Sequence, residues 1–486
     1  MPSARLLSAA KWTSAAAVVR ALMQVLQLVL VARLFPGDDL GVVVLLFSII
    51  AVAQLFADIG IANLVMHHQQ LTVQELRGIR GMALAMGALL CGLLLLTAPL
   101  LARFYDDARL QLLVSLAGGL FLLNSLWQTK RAVLEKNFEF RLVGSGEIVA
   151  ALLSQSTMVA VALVSRSTYA VLIAPLGYSL VMAAWLMLLR PDKEDFSFVF
   201  SRSTLRRFAG YSAYSFGFNL TNSVSVYSDI FIGGRYLSAA ALGGHGIAKD
   251  LSLKIGWAIN PIVTRIATPL LAQLQGERER LRAVYAQVLR VTTLLNFPVY
   301  VSLILFADSY IRLVFGEALA AYQPSFVLLG LWGLLRSVGS PSGSLFFALG
   351  KTRLAFYFST ASMLLFAASA WLGMQFGVVG LAWAMLGSMA LQQMIGAWYF
   401  IVRPLTGMSY AQYLACIAPA AITAWLAFGS TYVAIRNLPL SLPLFIGTQA
   451  LAGAAYLMLF WVVDRPLALQ FATLLRRGKT DKTFSG

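Results

Sequence analysis

Residues 41–64, GVVVLLFSIIAVAQLFADIGIANL, contain a single charged side chain, that of Asp58. A run of this length and polarity is typical of a transmembrane helix, which needs about 20 predominantly apolar residues. Similar runs recur along all 486 residues, of which 59% are hydrophobic and only 12% are charged. Soluble domains carry about 25% charged residues, so the composition argues against a water-soluble protein.

We predict an all-α integral membrane protein with fourteen transmembrane helices. The predicted spans lie near residues 10–34, 40–64, 79–102, 110–134, 142–164, 168–189, 207–234, 241–270, 285–307, 320–348, 353–374, 378–402, 410–434 and 441–463. The first span is longer than the apolar region of a signal peptide, so we expect it to be retained. The connections are too short to form a separate soluble domain.

Basic residues are distributed unevenly between the two sets of loops. With an inside N-terminus, 25 of the 37 Lys and Arg residues fall in cytoplasmic segments, seven fall outside and five lie within spans. This bias follows the positive-inside rule and predicts that both termini are cytoplasmic. Topology and contact with anionic lipid headgroups account for the net charge of +17, so nucleic-acid binding is not expected.

Two pairs of segments match at equivalent outside turns. RLFPGDDLG (33–41) aligns with RYLSAAALG (235–243), and APLLARFYD (98–106) aligns more loosely with ADSYIRLVF (307–315). The offsets of 202 and 209 residues indicate a duplication of six spans. Six is an even number, so the two halves have the same orientation and would be related by an axis along the membrane normal.

The duplication divides the chain into two lobes and an appendage. We predict an N-lobe at 1–190, a cytoplasmic linker at 191–206, a C-lobe at 207–402, two further helices at 403–465 and a basic cytoplasmic tail at 466–486. The linker mixes aromatic and basic residues, so it is either an amphipathic surface segment or a plain polar loop. Cys91 and Cys416 lie inside spans and predict neither a disulfide nor a zinc site. The HHQQ run at 67–70 has no neighbouring carboxylate or thiol at ligand spacing, so we interpret it as a polar loop.

Ionisable residues within spans are costly, at about 2.5–3.5 kcal/mol each on insertion scales, and are therefore candidates for function. The basic ones are Arg20, Lys249, Lys254, Arg265 and Arg336, and we count three acidic ones, Asp58, Asp229 and Asp250. Each could instead form a structural ion pair between the lobes, and Arg336 could be a helix-end charge.

The eighth span carries several of these charges on one face. Asp250 and Lys254 are four residues apart, so they can pair. Lys254 and Arg265 are eleven residues apart, which leaves about 20° between them around a helix. Lys249 points elsewhere and is expected to extend its ammonium toward the membrane surface.

Spans 1, 2, 7 and 8 are the polar ones, and they occupy the same positions in the two halves. Their polar residues include Asn219, Asn222 and Asn260. We therefore predict that these four spans line a central water-filled cavity with surplus positive charge. Such a cavity suits an anion, and a guanidinium can bind a phosphate through two parallel hydrogen bonds.

Several motifs resemble those of the bacterial polysaccharide exporters of the MOP superfamily, the Wzx-type flippases, and especially their colanic acid branch. These motifs are KW (11–12), LFADIGIAN (55–63), LEKNFEF (134–140), NPIVTRI (260–266), NFP (296–298), LVFGE (313–317) and LLRSVGSPSGSL (334–345). The resemblance covers roughly residues 1–465. It implies fourteen helices in two six-helix lobes plus two, and alternating-access flipping of undecaprenyl-diphosphate-linked repeat units across the bacterial inner membrane.

The resemblance also suggests site residues, by position in the spans rather than by a strict motif. We predict that substrate contacts Arg20, Lys254, Arg265, Asn219, Asn222, Asn260 and Arg336, and that Asp58, Asp250 or Asp229 carries a coupling proton or sodium ion. No nucleotide-binding motif is present, and no other cofactor is expected. We expect a monomer that contacts membrane lipids and the lipid-linked oligosaccharide and that could associate with a polysaccharide polymerase.

Three alternatives are weighed against this interpretation. A drug/cation antiporter of the MATE type shares the two-lobe plan but prefers an acidic, aromatic cavity. A polysaccharide polymerase or ligase would carry a long periplasmic loop, whereas the longest outside loop here is about a dozen residues, near 308–320. A purely structural membrane protein would leave the charged face of the eighth span without explanation.

Overall fold

The computed structural model describes residues 2–35, 37–57, 65, 72–191, 199, 213–436, 438 and 441–463. All regular elements of this part of the chain are helical. Asp58, the HHQQ run, most of the predicted linker at 191–206 and the predicted tail at 466–486 lie outside the described residues.

Eight helices make up the first half of the described chain. They are α1 (Pro2–Leu34), α2 (Asp38–Ala57), α3 (Val73–Tyr105), α4 (Arg109–Lys136), α5 (Phe140–Ser165), α6 (Ile173–Leu189, after a 3₁₀ turn at Thr168–Leu172), α7 (Ala213–Tyr236) and α8 (Ala239–Ala272).

Seven further helices follow. They are α9 (Arg278–Leu305), α10 (Gln323–Val338), α11 (Ser340–Ala348), α12 (Thr352–Met374), α13 (Gly377–Ala390, continued by a π-helical segment at Leu391–Val402), α14 (Tyr410–Ile435) and α15 (Leu442–Val463). Short turns at Ala307–Tyr310, Ile311–Phe315 and Glu317–Tyr322 connect α9 to α10, and the turn Arg403–Thr406 follows the π-helical segment.

Eleven helical segments among the described residues are long and apolar enough to cross a membrane. Inside a bilayer no water is available to satisfy backbone N–H and C=O groups, so a helix that bonds them internally is the stable form for such a run. The expected all-helical, multi-pass membrane architecture is thereby confirmed for the described part of the chain.

Polar residues define where some of these helices begin. Thr72 Oγ1 accepts a hydrogen bond from the Glu75 backbone N–H at 3.2 Å, and Glu75 Oε2 accepts one from the Thr72 backbone N–H at 3.0 Å. Ser409 and Gln412 form the same reciprocal pair at the start of α14. These capping boxes satisfy N–H groups that the helix itself leaves without partners.

The chain separates into two compact units. The first comprises Met1–Ile247 and Ala355–Leu381, and the second comprises Ala248–Leu354 and Ala382–Gly486. The boundaries between the units fall within α8, α12 and α13. The predicted lobes at 1–190 and 207–402 stay predictions.

Within the first unit, α3 packs along α4, α5 packs against both α1 and α6, and α2 packs against α7. Side chains of α4, α5 and α6 form one apolar core cluster, comprising Trp127, Leu134, Val143, Ala150, Met182, Ala183 and Leu186. Within the second unit, α9 packs against α10 and α14, and α14 packs against α15.

Candidate substrate path

Arg20 lies in an ion-pair network of the first unit. Its Nη2 is 3.5 Å from Glu147 Oε2, and Arg131 Nη2 is 2.8 Å from Glu147 Oε1. Arg131 Nε also donates a hydrogen bond to Glu135 Oε1 at 2.7 Å. The Glu147 side chain is only 5% exposed, whereas that of Arg20 is 41% exposed. Arg20 is thus oriented by a buried carboxylate while part of its guanidinium is accessible.

Glu147 was missed by the sequence analysis, although it lies in the predicted span at 142–164. The count of three acidic residues within spans is therefore wrong, because Glu147 is a fourth. Glu147 could have been identified from the sequence, because it is the one charged residue between positions 142 and 164. The five basic residues named in the sequence analysis still outnumber these four acidic residues.

Helix α7 carries three of the predicted site residues in different environments. Asn219 is exposed, Asn222 is half-buried and Asp229 is fully buried. Asp229 Oδ2 lies 2.8 Å from Nε2 of His245 on α8, and Asp229 Oδ1 accepts a hydrogen bond from the Ile230 backbone N–H at 2.9 Å. The sequence analysis did not identify His245 as a partner of Asp229, because nothing in the sequence links positions 229 and 245.

Helix α8 places Lys249 in the interior of the second unit. Lys249 is 1% exposed, and its ammonium lies 5.4 Å from the centroid of the Trp332 ring. The expectation that Lys249 reaches the membrane surface is therefore wrong. The Arg336 guanidinium lies 5.6 Å from the same centroid, so two cations contact one aromatic ring. Desolvated cation–π contacts contribute about 2 kcal/mol, which offsets part of the cost of burying these charges.

The remaining predicted residues of α8 differ in exposure. Arg265 is exposed, whereas Asp250 and Lys254 are half-buried. Asn260 Oδ1 accepts a hydrogen bond from Asn296 Nδ2 at 3.0 Å. Asn260 is therefore held by the asparagine of the NFP motif, and Arg265 is the predicted cation of this helix with the most accessible side chain.

A cavity of about 440 Å³ lies in the first unit, where α2, α4 and α8 begin and α3 and α7 end. Arg109 forms ion pairs with Asp39 and with Asp107, the latter at 2.7 Å, and Asp38 Oδ1 accepts a hydrogen bond from the Ala240 backbone N–H at 3.2 Å. Partial burial by itself raises the pKa of Asp107, but hydrogen bonds from the side chain and backbone of Arg109, together with its charge, lower the pKa below its usual value. The sequence analysis did not predict this cavity.

Glycines bring α2 and α8 into close contact beside this cavity. A Cβ on Gly41 would clash with the carbonyl oxygen of Ala239, and a Cβ on Gly246 would clash with the side chain of Val44. We call this region the α2–α8 contact. It comprises Gly41 and Val44 on α2 and Ala239, Gly243 and Gly246 on α8. Small residues allow helix backbones to approach closely within a membrane.

Comparisons with known proteins place this architecture in a family. A family model described as "Polysaccharide biosynthesis protein" matches residues 30–324, more than half of the chain. The chain belongs to the polysaccharide biosynthesis protein family. The resemblance to polysaccharide exporters predicted from the sequence motifs is thereby confirmed.

Two relatives in this family match over most of their length. The lipopolysaccharide biosynthesis protein WzxC of Escherichia coli (strain K12) is 27% identical over 447 residues, covering 90% of this chain and 86% of the relative. The teichuronic acid biosynthesis protein TuaB of Bacillus subtilis (strain 168) is 26% identical, covering 99% of this chain and all of the relative.

Solved structures show the fold that this family member adopts. The lipid II flippase MurJ in an inward closed conformation matches with a TM-score of 0.74 at 13% identity, covering 94% of this chain and 99% of MurJ. An inward-facing multidrug resistance MATE transporter of the MOP superfamily matches with a TM-score of 0.59 at 14% identity, covering 87% of this chain and all of that protein. The prediction of an all-α integral membrane protein is thereby confirmed.

Proposed function

We propose that this protein flips undecaprenyl-diphosphate-linked oligosaccharide repeat units from the cytoplasmic to the periplasmic leaflet by alternating access, for exopolysaccharide or lipopolysaccharide biosynthesis. The observation that carries the proposal is the match to WzxC over 90% of this chain. The fold shared with the lipid II flippase MurJ is consistent with it.

The membrane arrangement is part of the proposal. Fourteen spans cross the bacterial inner membrane, and both termini are cytoplasmic. The lobes comprise 1–190 and 207–402, followed by two helices at 403–465. The 25 basic residues of the assigned cytoplasmic segments support this orientation, because positively charged loops are retained on the cytoplasmic side.

The substrate diphosphate would be bound by cations that reach a hydrated path between leaflets. Arg265 and Lys254 are the primary candidates, because Arg265 is exposed and Lys254 is half-buried. Arg20 is a secondary candidate, since a phosphate would have to share it with Glu147. Asn219, Asn222, Asn260 and Arg336 complete the proposed set.

Transport is proposed to be coupled to a proton or sodium gradient through Asp58, Asp250 or Asp229. The protein would act as a monomer, because a two-lobe transporter can form its path within one chain. Association with a polysaccharide polymerase would deliver the flipped repeat unit to the next step.

A MATE-type cation antiporter is the second candidate, because a MATE transporter shares the fold with a TM-score of 0.59. The sequences of WzxC and TuaB, whose names refer to polysaccharide synthesis, favour the flippase. The excess of basic over acidic residues within spans also disfavours a cationic substrate.

The deciding experiment reconstitutes the purified protein in vesicles with a fluorescent undecaprenyl-diphosphate oligosaccharide. A membrane-impermeant reagent that destroys the headgroup fluorescence reports the leaflet of each molecule, and protein-free vesicles are the control. Transfer of the headgroup in protein-containing vesicles alone supports the proposal. Transport of an organic cation without headgroup transfer would instead identify a MATE-type antiporter.

A further inference from the structure

The cavity of about 440 Å³ in the first unit contains none of the residues proposed to bind the diphosphate. Three segments that the sequence analysis assigned to outside turns, 33–41, 98–106 and 235–243, supply residues to it. Its volume lies within the range of about 300–1,000 Å³ that is typical of sites for small molecules. The cavity therefore has the size of a binding site, and the groups on its walls decide which class of molecule fits.

The walls of the cavity are held in place by contacts within the protein. Arg109 Nη2 is 2.7 Å from Asp107 Oδ2, and Arg109 also pairs with Asp39. The Tyr105 hydroxyl donates a hydrogen bond to the carbonyl oxygen of Phe231 at 3.2 Å, which joins α3 to α7. A site whose walls are already ordered loses less conformational entropy when a ligand binds.

Two charged side chains of the cavity lack a partner of opposite charge. In the described part of the chain, the exposed Asp106 carboxylate forms no ion pair or hydrogen bond, and neither does the exposed Arg235 guanidinium. The Arg235 guanidinium lies instead over the Phe104 ring, 5.9 Å from the ring centroid. A carboxylate accepts hydrogen bonds from hydroxyl groups and a guanidinium donates them, so both groups are available to a ligand.

The charges around the cavity disfavour an ionic ligand. Asp38, Asp106 and Asp107 line it together with Arg109 and Arg235. A phosphate would face three carboxylates, and an organic cation would face two guanidinium groups. The described residues contain no group of three or more His, Cys, Asp or Glu side chains that could hold a metal ion. An uncharged molecule with many hydroxyl groups suits walls of both signs, because each hydroxyl can donate and accept.

We propose that this cavity is a carbohydrate-binding site that holds sugar rings of the lipid-linked oligosaccharide on the periplasmic side. Asp106 accepts hydrogen bonds from the sugar hydroxyls, and Arg235 donates to them. The naming of this oligosaccharide as the ligand rests on the proposed function, whereas the preference for a polyhydroxyl molecule rests on the cavity itself. Binding at this site favours states in which the headgroup is on the periplasmic side.

The test uses the purified full-length protein in detergent. The probe is the free form of the oligosaccharide used in the leaflet assay, without lipid or diphosphate. Saturation-transfer difference NMR detects its binding, and a titration gives the dissociation constant. Arg235→Gln and Asp106→Asn should each raise this constant by about tenfold, because a hydrogen bond to a charged group is lost or weakened. Asparagine is chosen because residue 106 has a φ of 57°, a conformation that asparagine tolerates.

Arg103→Gln is the matched control. Arg103 is an exposed cation on α3, one turn before Asp106, and it does not line the cavity. This variant should bind the oligosaccharide with the wild-type dissociation constant. Inorganic pyrophosphate is the comparison probe for an anion site, and it should show no loss of affinity in Arg235→Gln. Thermal unfolding verifies that each variant is folded.

The proposal is overturned if the wild type gives no saturation transfer to the oligosaccharide, a result that does not depend on any variant. It is also overturned if Arg235→Gln and Asp106→Asn bind as tightly as Arg103→Gln, or if Arg235→Gln weakens the binding of pyrophosphate instead. If the oligosaccharide binds as expected but no headgroup is transferred in vesicles, the carbohydrate site stands and the proposed flippase function fails. Headgroup transfer without binding of the free oligosaccharide leaves the flippase function standing and refutes the carbohydrate site.

Discussion

Gly243 packs against Gly41 so closely that a Cβ on Gly243 would lie 2.8 Å from the Gly41 backbone nitrogen. The same two glycines occupy equivalent positions in the matched segments 33–41 and 235–243. The turns that suggested an internal duplication are therefore in contact with each other.

A methyl group at this contact should force the two helices apart. Gly243→Ala is expected to destabilise the protein by about 1–3 kcal/mol, since overpacking against backbone atoms cannot be relieved by a side-chain rotation. The measurement is the thermal unfolding midpoint of the purified protein in detergent.

The matched control is Gly429→Ala on α14, because a Cβ at Gly429 would meet no atom within 4 Å. That variant should be unchanged or more stable by about 0.5–1 kcal/mol, from the better helix propensity of alanine. Equal midpoints for the two variants would contradict the close contact.

The buried carboxylate of Glu147 should contribute strongly to stability. Glu147→Gln removes the buried carboxylate that Arg20 and Arg131 share and leaves Glu135 as the carboxylate paired with Arg131. We expect a loss of about 3 kcal/mol in the free energy of unfolding, as for other broken buried ion pairs. Denaturant or thermal unfolding in detergent measures it.

Glu139→Gln provides the comparison, because Glu139 pairs with the exposed Arg190 at 3.5 Å. Exposed pairs contribute about 0–1 kcal/mol, so this variant should unfold close to the wild type. If Glu147→Gln lowers the free energy of unfolding no more than Glu139→Gln does, the ion pairs of Glu147 contribute little to stability.

The turn between α3 and α4 should be sensitive to acid through Asp107. The pKa of Asp107 is lower in the folded protein than its usual value, so its stabilising contribution is complete above about pH 4 and is lost as the pH falls through the lowered pKa. Asp107→Asn should lower stability at pH 6 and have less effect at pH 3. The measurement is the unfolding midpoint of the wild type and of Asp107→Asn from pH 3 to pH 6. A difference between the two midpoints that does not decrease on acidification would refute the prediction.

The proposed diphosphate site predicts a loss of transport without a loss of folding. Lys254→Ala and Arg265→Ala should each slow headgroup transfer by about tenfold or more, because a charge-assisted hydrogen bond contributes about 1.5–3 kcal/mol. The leaflet assay described above gives the rates, and thermal unfolding verifies that each variant is folded.

Arg166→Ala is a suitable control, because Arg166 is an exposed residue in the turn after α5 and is not in the proposed site. Its transfer rate should equal that of the wild type. If the Lys254 and Arg265 variants also transfer at the wild-type rate, the diphosphate is bound elsewhere.

The sequence by itself determined the helical architecture. Long apolar runs must form helices in a bilayer, because the backbone groups have no other partners there. The matched turns at 33–41 and 235–243 could likewise be found from residues alone, since a duplication leaves equivalent positions at a constant offset.

Only the tertiary structure decided which polar side chains meet. Glu147 joins Arg20, His245 joins Asp229, and Lys249 contacts Trp332 rather than the membrane surface. Each partner lies on a different helix, and helical periodicity gives the face on which a residue lies but not the helix that this face contacts. The choice of partner depends on how whole helices pack, and that follows from the shapes of many side chains together.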